Sequence, residues 1–346
     1  MKDTEITINE ALALVGCLNG AEAVRAVLQG RELKPLEHGD IALGQVIAAV
    51  SRLGGEESFL RLLSAHKLKI VWREEPGEEP APLMSAVITE LPAPLFDSHG
   101  RRIPPKGLLA KVCVPNRGFH IEQPTTIDYA ARYRRFEDTG LTAFLSVEEF
   151  EGRAEQLLEQ LREDKLLASV LNGVYLPIIV PKTVIGDYGK SLEEFVLAAK
   201  QSYRGQYPYW GFTNHRKGAL AKQITIVPGC RHEQLVAAIA ESTVVGIYFP
   251  NPLQGFSVDA QRGQMATLPE SFQLSGGIDT SMAWVMYPDV LARDANIPYY
   301  DCSALQGLSF AYSLYFGADD ALAYFDSRGN LDDACDIYSG GLLFVG

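Results

Sequence analysis

Residues 268–305 read LPESFQLSGGIDTSMAWVMYPDVLARDANIPYYDCSAL. The apolar Phe272-Gln273-Leu274 predicts a short strand, Ser275-Gly276-Gly277 a tight turn, the residues after it a helix, and residues 298–301 a second strand. Pro288 falls inside the helical pattern, where a proline costs about 3 kcal/mol unless it begins a new helix. The chain before this stretch repeats the same order. Residues 175–180, 223–227 and 244–249 are apolar strand candidates, and residues 191–202 and 231–242 are helical segments between them. Buried apolar strands alternating with such helices predict parallel βαβ units. The expected fold is therefore α/β, with a C-terminal Rossmann-like, mostly parallel sheet flanked by helices and edge strands at 312–316 and 342–345.

Toward the N-terminus the pattern changes twice. Residues 126–346 form the expected α/β domain, which opens with the best amphipathic helix of the chain, at 147–171. There Ser146 and Glu149 make a capping box, and Phe150, Ala154, Leu157, Leu158 and Leu161 share one face. Residues 68–125 are rich in proline and predict a small irregular β region with short strands at 68–72, 85–91 and 107–114. Residues 1–67 show apolar spacings of three and four and predict a helical N-terminal region.

The peptide Ser275-Gly276-Gly277-Ile278-Asp279-Thr280-Ser281 resembles the PP-loop of the N-type ATP pyrophosphatases, S-G-G-x-D-[ST]-[ST]. In that family the motif joins the first strand and helix of a Rossmann-like domain. The resemblance implies that Ser275, Gly276, Gly277, Thr280 and Ser281 hold phosphates, with Asp279 on magnesium or on the turn and residues 298–301 beside the adenosine. The chemistry suits the residues: two glycines let the backbone approach an anion, and amides at a helix N-terminus with hydroxyls donate to pyrophosphate. ATP with magnesium is the cofactor pair implied.

Composition bounds the partners. Residues 1–222 carry 27 Lys and Arg against 29 Asp and Glu; residues 223–346 carry 4 against 14, a net of −10, with no lysine. So acidic a third repels nucleic acid and anionic membranes, so neither is expected as a partner. No apolar run reaches the roughly 20 residues of a membrane span. The five cysteines are scattered without a C-x-x-C pair, which fits a reducing, cytoplasmic location and excludes a zinc framework. Leu14-Val15-Gly16-Cys17 matches a lipidation pattern, but its flank is acidic and its apolar segment short.

Weaker motifs have simpler readings. In Gly186-Asp187-Tyr188-Gly189-Lys190-Ser191, which looks like the end of a Walker A loop, Ser191 and Glu194 make a capping box. No histidine follows Gly307-Leu308-Ser309-Phe310-Ala311, so a hydrolase elbow is not expected. His215 and His232, beside Arg216 and Arg231, are candidates for anion contacts. The aspartates at 319, 320, 326, 332, 333 and 336 lack calcium-loop spacing and read as solvated turns. Dense aromatics at 203–212, 299–300 and 310–316 suit either a stacking surface or core packing. Two functions follow as expectations: binding of a nucleotide or other phosphorylated ligand at the SGGIDTS turn, or non-catalytic docking of a protein partner on the acidic C-terminal surface.

Overall fold

The computed structural model describes residues 94–346, except 309–311, together with the strand backbones at 6–7, 68–73 and 85–90. The chain divides into two compact units, residues 1–93 and 94–346. In the first, β1 (Ile6–Thr7), β2 (Leu68–Arg73) and β3 (Ser85–Glu90) form an antiparallel sheet in the order β1-β3-β2, with Leu68 opposite Glu90 and Arg73 opposite Ser85. Both strands expected at 68–72 and 85–91 are present. Ile6–Thr7, expected to begin the helical region, is a strand instead. The helices expected over the remainder of 1–67 lie outside the described residues.

The second unit opens irregularly. Residues 107–114, expected as a strand, carry only an isolated bridge from Val112 to Phe256. Pro104, Pro105 and Pro115 flank the segment and remove ladder donors on both sides. After α1 (Tyr129–Glu137), the helix α2 (Val147–Glu163) has the expected capping box, with Ser146 Oγ accepting from the Glu149 amide and Glu149 accepting from the Ser146 amide. Its five expected apolar residues are all buried. The helix stops at Glu163 rather than 171. There the Asp164 carboxylate accepts from the Leu166 and Leu167 amides, a local alternative to continued helix, and a 3₁₀ turn at Ala168–Asn172 follows.

The next elements are β4 (Leu176–Val180), α3 (Tyr188–Gln206), β5 (Gly211–Asn214), β6 (Ile224–Ile226), α4 (His232–Glu241) and β7 (Val244–Phe249). Helix α3 starts earlier than its hydroxyl residues suggest, because Asp187 rather than Ser191 is its cap and accepts from the Lys190 amide. The chain continues through α5 (Val258–Gly263), β8 (Phe272–Leu274), α6 (Gly277–Met286), α7 (Pro288–Leu291), β9 (Tyr299–Asp301) and β10 (Leu305–Gly307). It ends with β11 (Ser313–Asp319), β12 (Leu322–Arg328), β13 (Tyr338–Gly340) and β14 (Leu342–Phe344). Pro288 occupies the first turn of α7, where its missing N–H costs nothing.

The fold is α/β, but its sheets are not the parallel one expected. Among the described residues of 94–346 there are three. A four-stranded sheet runs β4-β7-β14-β8, antiparallel at every pair. A five-stranded sheet runs β13-β9-β11-β12-β5, with only its outer pairs, β13 with β9 and β12 with β5, parallel. The small third sheet pairs β10 with β6, again antiparallel. The Rossmann-like expectation therefore fails, for a definite reason. Strands buried on both faces read as apolar runs whatever their direction. Between β4 and β7 the chain leaves for two other sheets, and β7 pairs antiparallel to β4. Strands β8 and β9, which flank α6, lie in different sheets, and β14 inserts between β7 and β8 from the C-terminus.

Helix α6 is the centre of this arrangement. All ten of its residues are buried, which marks a core helix rather than an amphipathic surface one. It packs on β4, α3 and α1, while Trp284 brings its ring against Phe212, Tyr300 and Phe316 of the five-stranded sheet. Arg132 of α1 anchors the far end: its guanidinium donates twice to Asp289, once to the Met286 carbonyl, and stacks on Tyr287. Among the described residues no helix is long and apolar enough to cross a membrane.

Candidate functional site

The SGGIDTS turn lies where the two larger sheets meet. Strand β8 delivers Ser275 to the N-terminus of α6, and the second Ser-Gly-Gly peptide, Ser339-Gly340-Gly341, carries the chain from β13 into β14 beside it. The two turns touch: the Ser275 amide donates to the Gly341 carbonyl at 3.0 Å. Gly341 has no room for a side chain, since a Cβ there would fall 2.7 Å from both Ser275 Oγ and Tyr248 Oη. Gly276 is equally confined, 2.4 Å from His232 Nε2 and 2.8 Å from Tyr188 Oη by the same measure. As folded, these glycines allow close packing of the turn against His232, Tyr188 and Tyr248.

The polar groups of the turn are turned inward. Ser275, Asp279, Thr280 and Ser281 are completely buried. The Gly276 amide donates to Asp279 Oδ1 at 2.9 Å, so Asp279 caps its own helix from the third position. Thr280 and Ser281 donate their hydroxyls back to the Gly276 and Gly277 carbonyls, each at 2.6 Å. As folded, then, the amide and two of the hydroxyls that the PP-loop resemblance assigns to phosphate are engaged within the helix itself, and Gly277 packs on Leu192.

Around the turn stands a buried polar cluster that the sequence only half suggested. His232, at the start of α4, places Nε2 2.6 Å from the Tyr188 hydroxyl, and its Nδ1 lies 4.0 Å from Asp279 Oδ1. Tyr248 Oη reaches Thr280 Oγ1 at 3.4 Å. Burial pushes the Asp279 carboxyl up to about 7, offset in part by nearby Ser275 and by backbone amides, and it holds His232 down at about 3. The Cys302 thiol is raised well above its ordinary value by burial and by Asp279, so it is not an activated nucleophile. Three polar atoms of the cluster, Ser275 Oγ, Asp279 Oδ2 and His232 Nδ1, have no hydrogen-bond partner among the described residues. Tyr248 escaped the sequence reading because it sits inside an apolar run, and Tyr188 because it lies in the Gly186-to-Ser191 stretch, which reads as a helix start.

Arg231, the neighbour of the anion-contact candidate His232, is committed elsewhere. Its guanidinium donates to the carbonyls of Met265, Leu268, Pro269 and Phe272, clamping the loop that leads into β8. His232 is the buried member of the cluster described above, whereas His215 is exposed at the end of β5. No group of three His, Cys, Asp or Glu side chains among the described residues is placed to hold a metal. An open cleft of about 400 Å³ does exist between α1 and α3, lined by Arg134, Arg135, Asp138 and Gln201 among others; the turn does not reach it.

A second constellation lies on the outer face of the five-stranded sheet. Because side chains alternate along a strand, the register puts Tyr299, Tyr315, Tyr324 and Tyr338 on one face, with their rings 5.0–6.1 Å from one another in five pairs. Gly317 leaves the space they fill: a Cβ there would meet Tyr299 at 2.8 Å and Tyr324 at 2.9 Å. All four tyrosines are half-buried, and Thr213, Asp319 and Asp320 around them are exposed. The opposite face, with Tyr300, Phe316 and Phe325, is fully buried in the core. One end of the outer face is closed by Arg328, which stacks 4.2 Å above Tyr338 and donates twice to the buried Asp301, at 2.9 and 2.7 Å. Gln261 donates to the same carboxylate.

No known protein family, curated protein or solved structure matches the chain. The site therefore has to be read from its own chemistry.

Proposed function

We propose that this protein works by binding, and that its working surface is the tyrosine face of the five-stranded sheet, on which a protein partner docks. The observation that carries this reading is the cluster of four half-buried tyrosines bordered by exposed aspartates. Tyrosine offers a large, rigid contact area with a polar end and little rotamer entropy to lose, the combination enriched at protein interfaces. The net charge of −10 over residues 223–346 adds long-range attraction for a basic partner. Selection of a random-peptide library on the immobilised chain is expected to enrich sequences that no longer bind when Tyr315 and Tyr324 are both changed to alanine. The same sequences should still bind after Glu159→Ala on the exposed side of α2. Enrichment indifferent to both tyrosines would remove the reading.

A second reading keeps the turn as a site for a nucleotide or other phosphorylated ligand, with ATP and magnesium as the candidates. It is favoured by the three unpartnered polar atoms, Ser275 Oγ, Asp279 Oδ2 and His232 Nδ1, since buried polar atoms are normally satisfied. A ligand at Ser275, Gly276, Gly277, Asp279, Thr280 and Ser281 requires the turn to open and to surrender its internal hydrogen bonds. Titration calorimetry with ATP and magnesium should then give heat that is lost in Asp279→Asn. An absence of heat with any nucleotide would eliminate this reading.

A further inference from the structure

The chemistry of the docked partner can be read from the arginines the protein already holds. Arg328 stacks on Tyr338 and pairs bidentately with Asp301; Arg132 stacks on Tyr287 and pairs bidentately with Asp289. Arg216 stacks on Tyr312 at 5.2 Å. In the first two the seat is a tyrosine ring beside an aspartate, which matches guanidinium twice over: the plane lies on the ring and the fork meets the carboxylate.

The tyrosine face holds two further pairs of that composition. Tyr315 stands directly opposite Asp326 across β11 and β12, with side chains on the same face. Tyr299 donates to Asp319 at 3.0 Å, with Tyr324 packed against Tyr299. Among the described residues neither Asp319 nor Asp326 pairs with an arginine or lysine. The ring of Tyr315 lies 5.9 Å from that of Tyr299 and 6.1 Å from that of Tyr324. An extended chain presents alternate side chains on one side at about 6.6 Å, from a rise of about 3.3 Å per residue. The separation of these rings is thus close to the spacing of residues i and i+2 in an extended peptide.

We propose that the tyrosine face receives an extended segment with arginine at alternate positions, one guanidinium on Tyr315 against Asp326 and the next on Tyr299 and Tyr324 against Asp319. The proposal rests on the docking reading above and names its partner. Stacking rings also suit the bases of single-stranded RNA, but the aspartates at the rim oppose its phosphates. The basic residues at the β5 edge, His215, Arg216 and Lys217, do not reverse this, because the face itself carries Asp319 and Asp326 and Arg216 is already stacked.

Fluorescence anisotropy of labelled dodecapeptides on the full chain tests it. An Arg-Ser alternating peptide is expected to bind about ten-fold more tightly than the Lys-Ser peptide, because only the guanidinium stacks and forks together. It should also exceed a peptide of the same composition with its arginines in one block. Tyr315→Phe should preserve affinity within about two-fold, since the ring face survives. Tyr315→Ala and Asp326→Asn should each weaken binding about five-fold or more. Asp326→Asn guards against a folding defect, its carboxylate having only the neighbouring Ser327 amide as a described partner. Equal affinity for the arginine and lysine peptides, indifference to Asp326→Asn, or tighter binding of oligo(U) would overturn the proposal. If library-selected sequences of another composition bind through Tyr315 and Tyr324 while the arginine peptides do not, the partner chemistry falls and the docking reading survives.

Discussion

Asp279→Asn should yield a protein that gains stability as the pH rises from about 3 to 6.5, whereas His232→Gln should yield one that loses stability as the pH rises from about 4 to 7. The signs follow from proton counting. The Asp279 carboxyl titrates at about 7 when folded and at 3.8 in the ordinary state, so between those values the folded chain binds the extra proton and a rise in pH favours unfolding. His232 titrates at about 3 when folded and 6.5 ordinarily, so the unfolded chain binds the extra proton and a rise in pH favours folding. In the intact protein the two slopes oppose each other over the shared window, from about 3.8 to 6.5, and nearly cancel. Each single substitution exposes the slope of the remaining partner, worth on the order of 4 kcal/mol across its window at about 1.4 kcal/mol per unit. Urea midpoints of both variants at pH 4, 5.5 and 7 measure this. Slopes of the same sign in the two variants would show that burial does not shift His232 and Asp279 in opposite directions.

Gly276→Ala is expected to cost about 3 kcal/mol, the upper part of the usual range for overpacking a dense core. The backbone at Gly276 is extended, with φ −103° and ψ −163°, so an alanine meets no conformational strain. The cost is purely one of space: the new methyl would lie 2.4 and 2.5 Å from atoms of the His232 ring and 2.8 Å from the Tyr188 hydroxyl, both held in the core. Gly205, inside α3, gives the contrasting case. Nothing lies within 4 Å of a Cβ there, so Gly205→Ala should stabilise the protein by up to about 1 kcal/mol through helix propensity and a less disordered unfolded chain. Denaturation curves that place the two variants together would refute the packing argument. The Gly276 variant should also disturb the hydrogen bond between His232 and Tyr188, visible in the imidazole resonances.

Much of the local structure was legible. The capping box at Ser146 and Glu149, the buried face of α2, the strands at 68–73 and 85–90, and the strand-turn-helix order around Ser275 all depend on neighbours within a few residues, and short-range pattern conveys them. The helix cap at Asp187 was misplaced because Ser191 offers the same hydrogen-bonding chemistry four residues later. Tyr248 stayed hidden because a tyrosine in an apolar run looks like any core residue until its hydroxyl finds a partner, and Tyr188 because its partner, His232, is 44 residues away in the chain. The tyrosine face was visible only as composition: that Tyr299, Tyr315, Tyr324 and Tyr338 share a surface depends on the pairing of four strands from three separate stretches of chain.

By itself the sequence determined the capped helix after Ser146, the apolar strands at 176–180 and 244–249, that the residues around Ser275 form a glycine turn into a helix, and that the C-terminal third is acidic. These are properties of spacing, side-chain volume and charge, which act over a turn of helix or a few strand residues. Tertiary structure alone decided strand direction, because an apolar strand buried on both faces is the same string whether its neighbour runs parallel or antiparallel. It also decided the state of the SGGIDTS turn. Whether two glycines and three hydroxyls meet an anion or fill a core depends on what packs against them, and here His232, Tyr188, Tyr248 and the second glycine turn at Gly341 close over them from elements remote in the chain.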